Sequence, residues 1–355
     1  MRRGATGNDL SRRFDDQARA PDGDWLDWER TEGEARPLRT TVTVEHPKAV
    51  LTRNDSPDIP FDRSFNAYRG CEHGCIYCFA RPTHAFHNLS PGLDFETRLF
   101  AKPTGPAMLR AEFAKPGYRP EVLAMGTNTD PYQPIEADWK ITRAVLLLCL
   151  ETRHPVAITT KSDRVLRDID LLAPLAGLGL AAVMLSVTTL DPALARAMEP
   201  RAAAPHRRIA AIRALSDAGV PAYVSASPMI PGLNDHELEA ILHAAASAGA
   251  VGAFCQPIRL PHEVAPLFDA WLASAYPDRR EKVLNGIKAM RGGRLNDPRF
   301  GSRMRPEGVW GDLLRSRFGK AKRAAGMADS RPPLRTDLFR KPAHDDRQGL
   351  LFGCE

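Results

Sequence analysis

The chain has 355 residues, 43% of them hydrophobic and 26% charged, enough to bury one large core or two smaller ones, as an ordinary soluble enzyme does. Its net charge is +6, and the 13 Lys and Arg against 6 Asp and Glu between Arg299 and Arg347 more than account for the excess, so the basic charge is a C-terminal property. No apolar run approaches the roughly 20 residues that span a bilayer, and Met1-Arg2-Arg3 leads into polar residues rather than an apolar signal core, so a membrane protein is excluded and a reducing cytoplasmic setting is expected.

Residues 1–40 mix both charges with few aliphatic side chains and read as a poorly ordered arm. Thr40 to Val44 alternates as a short strand, and Pro57 and Pro60 mark a loop. The stretch Arg69-Gly70-Cys71-Glu72-His73-Gly74-Cys75-Ile76-Tyr77-Cys78 then places three of the six cysteines within eight positions. Without a secretory signal, clustered cysteines are metal ligands or catalytic groups more often than bridges. Three thiolates are one short of a closed structural site. A zinc knuckle completed by His73, His84 or His87 is one reading; a cube-type iron–sulfur cluster with one open iron is the other.

From Glu121 onward a short apolar run, a polar turn and a helical stretch recur. The runs are Val122–Met125, Val156–Thr159, Ala182–Leu185, Ala222–Val224 and Val251–Phe254. Between them, Ile141, Val145 and Leu148 share one helix face, Ile209 and Ile212 a second, and Leu238, Ile241, Leu242 and Ala245 a third. Asp191-Pro192 reads as a helix start, and Asn234 with Glu237 as a capping box. With the segment entering the cysteine loop there are six strands, which predicts an open α/β partial (β/α)6 barrel spanning 41–262. Residues 263–325 follow as a helical extension and 326–355 as a flexible basic tail. In parallel α/β folds ligands sit beyond the carboxyl ends of the strands, so the polar turns should share one rim with the cysteine loop.

The spacing C-x3-C-x2-C, with aromatic Tyr77 before the last cysteine, resembles the signature of radical S-adenosylmethionine (radical SAM) enzymes. That resemblance implies the same partial barrel, a 4Fe-4S cluster on Cys71, Cys75 and Cys78, and S-adenosylmethionine on the open iron. It also implies an electron donor such as flavodoxin or ferredoxin. Gly126 and Thr127 stand where such enzymes meet the amino group, Lys161 and Ser186 can engage the carboxylate, and Tyr77, Met229 and Ile230 would flank the adenine.

Asn66-Ala67-Tyr68-Arg69-Gly70-Cys71 and Thr127-Asn128-Thr129-Asp130-Pro131-Tyr132-Gln133-Pro134 are similar to a bacterial subfamily of the spore photoproduct lyase-like branch. Lyases of that branch repair DNA with a cysteine hydrogen donor at the end of the second strand. Gly126-Thr127 stands there instead, leaving Cys255 as the candidate donor. The ending Gln348-Gly349-Leu350-Leu351-Phe352 is similar to peptides that dock repair proteins on the sliding DNA clamp through residues such as Gln348, Leu351 and Phe352. With the basic tail, this points toward DNA or another nucleic acid. A redox-sensing cluster protein without turnover and a radical modifier of RNA or peptide are the competing readings.

Overall fold

The computed structural model describes residues 3–5, 7–8, 39–329 and 332–343. Its strands, in chain order, are β1 (Thr41–Val44), β2 (Leu51–Arg53), β3 (Arg63–Phe65), β4 (Tyr68–Arg69), β5 (Arg98–Ala101), β6 (Leu123–Met125), β7 (Val156–Thr160), β8 (Ala181–Ser186), β9 (Ala222–Met229) and β10 (Gly252–Pro257). Seven form one sheet in the order β10-β9-β8-β7-β6-β3-β2. Six of them run parallel, β3 entering the cysteine loop and the other five matching the apolar runs; β2 adds an antiparallel edge. The alternating strand that begins the ordered core is β1, but it pairs with β5 in a separate three-stranded sheet with β4.

Helices pack around the two sheets. They are α1 (Asp94–Thr97), α2 (Gly105–Ala114), α3 (Glu136–Trp139), α4 (Ile141–Thr152), α5 (Ile169–Gly177), α6 (Pro192–Met198), α7 (Pro205–Asp217) and α8 (Leu238–Ser247). The extension adds α9 (Val264–Ala275), α10 (Pro277–Ala289) and α11 (Gly308–Ala324). The apolar stripes read from the sequence are the buried ones: Ile141, Val145 and Leu148 of α4, Ile212 of α7, and Leu238, Ile241, Leu242 and Ala245 of α8. Asp191 caps α6 through the Ala193 amide at 2.7 Å, as expected.

Asn234 and Glu237 do not form a capping box. Asn234 accepts from the Ile230 amide (2.7 Å) and donates to the Thr188 carbonyl (2.7 Å), while Glu237 accepts from Thr189 (2.5 Å) and the Leu190 amide (2.6 Å). Both side chains tie the turn after β9 to the turn after β8 rather than closing their own helix.

Register decides which residues face inward. Ala124 pairs with Ala157, Thr159 with Met184, Ser186 with Ser225, and Phe254 with Ser225. Their neighbours Leu123, Ile158, Val183, Leu185, Val224 and Ala226 belong to the core under the helices. The inner face is therefore built mainly from Ala, Ser and Thr, which leaves room inside the barrel.

Two stretches differ from the expected outline. Residues 3–5, assigned to a poorly ordered arm, pack on the cysteine loop: the Gly4 and Ala5 amides both donate to Glu96, at 2.9 and 2.8 Å. Residues 332–343, assigned to a flexible tail, cross the amino-terminal end of the sheet, where the Arg335 and Arg340 amides donate to the carbonyls of Gly179 (3.0 Å) and Thr152 (2.7 Å). Most of the arm (9–38) and the clamp-docking peptide with Gln348, Leu351 and Phe352 lie outside the described residues. Among the described residues no helix is long and apolar enough to cross a membrane.

Candidate functional site

The cysteine loop is short, glycine-punctuated and held from beneath. Gly70 and Gly74 adopt φ values of +74° and +67°. A Cβ on Gly70 would fall 2.6 to 2.8 Å from Leu99, Phe95 and His84, so only glycine fits there. Under the loop lies Arg81, fully buried, whose guanidinium donates to the carbonyls of Cys75 (2.9 Å), Gly74 (3.2 Å), Pro91 and Gly92 (both 3.0 Å) and to Glu96 (2.5 Å). A planar fork with several donors satisfies that many acceptors, which a lysine cannot do.

The turn after β6 grips the loop from the side. Thr129 donates to the Gly70 carbonyl (2.6 Å), Gln133 accepts from the Glu72 amide (2.9 Å), and Asn66 accepts from the Asn128 amide (3.0 Å). Asp130 accepts from Thr160 (2.7 Å) and the Lys161 amide (2.8 Å), and lies 3.3 Å from His73 Nδ1. Burial alone would raise the Asp130 carboxyl, but His73 and these donors outweigh it and hold it down to about 2. The motif read as a cofactor-binding turn thus also aligns the cysteine loop with the end of β7.

Cys71, Cys75 and Cys78 line one groove together with Gly126, Thr127, Lys161 and Ser186. These are the three expected ligands and four of the expected cofactor contacts, drawn from four strand ends. Gly126 has φ +89°, and a Cβ there would stand 1.9 Å from the Thr159 carbonyl. Burial pushes the Cys71 and Cys75 thiols up, the latter to about 12. Burial would lower the Lys161 ammonium, yet Cys75 and Glu199 hold it above its ordinary value, so it stays charged at neutral pH.

Tyr77, Met229 and Ile230 do not line the groove. Tyr77 is buried with its hydroxyl on Glu199, a fully buried carboxylate that also accepts from Thr188 (2.8 Å) and Arg208. Met229 and Ile230 are fully buried in the two hydrophobic cores. Cys255 is not a donor candidate either. It pairs in register with Ala226 on the helix-covered face, Arg317 of α11 is the charge that reaches it, and burial lifts its thiol to about 12. Strand alternation turns it away from the interior that Phe254 enters.

Residues not singled out as ligands or cofactor contacts hold the site together: Asn66, Thr129, Asp130, Gln133, Arg81, Glu96, Glu199 and Arg208. Asn66, Thr129, Asp130 and Gln133 lie within the two motifs quoted from the sequence, whereas Arg81, Glu96, Glu199 and Arg208 carry no local mark. Phe79, next to Cys78, lines the groove while 53% exposed.

The donor set fits a cluster better than a single ion. Among the described residues no three His, Cys, Asp or Glu side chains are placed to share one metal ion. A cube presents separate irons, each taking its own thiolate, so three cysteines lining one groove fit it. Two of the histidines considered for zinc are engaged elsewhere, His73 facing Asp130 and His84 Nε2 sitting 2.9 Å from the Arg98 carbonyl, and His87 packs at a tilt on Phe100, 4.7 Å between ring centres.

The family model described as the radical SAM superfamily matches residues 65–245. An uncharacterized protein of Mycobacterium tuberculosis is 37% identical over 222 residues, covering 62% of this chain and 65% of the relative. The chain thus spans less than two thirds of that relative's length. An uncharacterized protein of Methanocaldococcus jannaschii is 31% identical over 172 residues, covering 48% of this chain and 62% of its own. A solved structure of spore photoproduct lyase complexed with dinucleoside spore photoproduct superposes with a TM-score of 0.55 over 85% of this chain and 89% of that one. At 14% identity the likeness is one of fold.

Proposed function

Because the chain belongs to the radical SAM superfamily, whose enzymes use a 4Fe-4S cluster and S-adenosylmethionine, we propose that Cys71, Cys75 and Cys78 hold the cluster and that the groove above them binds and cleaves S-adenosylmethionine to act on nucleic acid. The observation that carries this is the convergence of three cysteines, Lys161, Ser186 and Gly126 on one groove from separate strand ends. When bound, the cluster and cofactor supply one-electron cleavage of the sulfonium carbon–sulfur bond and, from it, hydrogen-atom abstraction from substrate.

The chain's own residues do the positioning. Lys161 pairs with the methionine carboxylate, and Ser186 donates to it from the neighbouring strand end. Gly126 lets the backbone approach the amino group. The Lys161 ammonium also lies 5.7 Å above the Tyr77 ring, so Glu199, which holds Tyr77, aligns the cysteine loop with Lys161. Ala124 and Ala157, paired on β6 and β7, keep the side-chain bulk on the inner face small.

Nucleic acid is favoured by charge and by aromatic groups. Residues 286–310 carry six Lys and Arg against two acidic residues, and exposed Phe300 lies 4.6 Å under the Arg303 guanidinium. Among the described residues no cysteine outside the loop faces the interior, since Cys149 is fully buried in α4 and Cys255 points to the helices, so repair through a cysteine donor on the barrel wall is disfavoured. A reductant-delivering flavodoxin or ferredoxin and a sliding clamp are the protein partners this reading includes.

Anaerobically reconstituted protein with a strong reductant should release 5'-deoxyadenosine from S-adenosylmethionine. Addition of ultraviolet-irradiated DNA, undamaged DNA or RNA in turn should raise that rate. No release despite a full cluster sinks the enzyme reading; release that none of the nucleic acids alters sinks the substrate class.

A further inference from the structure

We propose that Arg259 forms an oxyanion site at the mouth of the groove and there takes a phosphate of the substrate. The phosphate identity rests on the nucleic-acid reading above; the site itself rests on geometry.

Arg259 stands two residues beyond β10, on the rim where the groove opens. Its guanidinium carbon is 5.8 Å from the centre of the Phe79 ring, and Phe79 follows Cys78 directly. Arg259 makes no hydrogen bond or ion pair with any described residue. Its two neighbours are fully engaged. Arg291 donates to the Ile258 carbonyl (3.2 and 2.7 Å) and the Arg303 carbonyl (3.0 Å); Arg303 pairs with Asp58 at 2.7 Å and also donates to Ser56. Those same contacts gather the three guanidinium-bearing residues around one point. Asp58, the carboxylate within electrostatic reach of Arg259, is already taken by Arg303 and by the Gly301 amide at 2.8 Å.

Positive charge is thus in local excess. Burial and the Arg303 charge draw Arg259 below the usual guanidinium range, and burial with the Arg259 charge brings Arg291 to about 10. An oxyanion against Arg259 relieves that crowding through a charge-assisted, bidentate contact. The half-exposed Phe79 ring offers a stacking face for an adjoining base, which fits a phosphodiester better than an isolated carboxylate.

Binding of inorganic pyrophosphate and of a single-stranded oligothymidylate to the reconstituted protein, by calorimetry, tests this with Arg259→Ala and Arg259→Lys. Arg259→Ala should weaken both ligands about tenfold and lower the salt dependence of oligonucleotide binding by about one phosphate contact, while Arg259→Lys, which keeps the charge but loses the fork, should keep the salt dependence and recover only part of the affinity. Affinity for S-adenosylmethionine should not change. If pyrophosphate binds through Arg259 and the oligonucleotide does not, the oxyanion site stands and the nucleic-acid reading falls. Unchanged binding in Arg259→Ala, or a wild-type protein that binds neither probe, overturns the proposal. A parallel loss of S-adenosylmethionine binding also overturns it, making Arg259 a cofactor contact.

Discussion

Lys161 and Arg81 are cations in opposite settings, one lining the groove and the other donating only to protein acceptors. Lys161→Met should leave iron content intact but weaken S-adenosylmethionine binding by about 2 kcal/mol, roughly thirtyfold, since a charge-assisted contact is lost; equilibrium dialysis measures it. Equal affinity in the variant would remove Lys161 from the carboxylate. Arg81→Met leaves Glu96 buried without its cation, which should destabilise the fold by about 3–5 kcal/mol in urea unfolding and reduce the iron retained on reconstitution. Adding Glu96→Leu should recover part of the stability but not the loop geometry, because the Gly74 and Cys75 carbonyls still lack their donor. The cysteines were legible in the sequence because their ligand spacing is local. Arg81 was not, because its acceptors on Pro91, Gly92 and Glu96 meet it only after the chain has turned back.

At the scale of elements, the strap of residues 332–343 seals the floor of the barrel. Phe339 meets Phe113 at 6.0 Å and His154 at 5.6 Å, both edge-on, while His154 stacks flat on Phe113 at 4.2 Å. Burial holds the His154 imidazole down at about 4, so the folded chain keeps it neutral. The unfolded chain takes up a proton below its ordinary value of about 6.5, so stability is complete above that pH and is lost progressively toward pH 4, by roughly 3 kcal/mol. The melting temperature should fall between pH 7 and pH 5, and His154→Phe, which preserves the stack, should flatten that fall. An unchanged slope would place the titration elsewhere. Phe339→Ala should loosen the strap, exposing residues 332–343 to protease at a cost of about 1–2 kcal/mol.

Across the whole molecule, the C-shaped sheet leaves a seam between β10 and the β2–β3 edge, and the basic segment 291–305 spans it. Arg291 fastens one end to Ile258 after β10; Asp58, in the loop between β2 and β3, fastens the other through Gly301 and Arg303. Asp58→Ala should raise hydrogen exchange across 297–305 with the central strands still protected, and it should weaken oligonucleotide binding by disordering the Phe300–Arg303 pair. Exchange unchanged in that segment would show the seam to be closed by other contacts.

The sequence by itself determined the six parallel strands, the helices between them and the cysteine loop, because apolar periodicity and cysteine spacing are short-range properties that a chain carries before it folds. It also brought Lys161, Ser186 and Gly126 to the correct rim, since strand-end turns of a parallel sheet all face one way. Only the tertiary structure decided which side of a strand each residue takes. Cys255 and Met229 look equal to Ser186 in the sequence, but their register packs Met229 fully, and Cys255 partly, against the core under the helices. Likewise Thr129, Asp130, Gln133 and Glu199 hold the cysteine loop across separations of roughly 60 to 120 residues, which no local pattern reveals. The cysteine loop itself was legible in its spacing; what keeps it in place, and which side chains share its groove, depended on the fold.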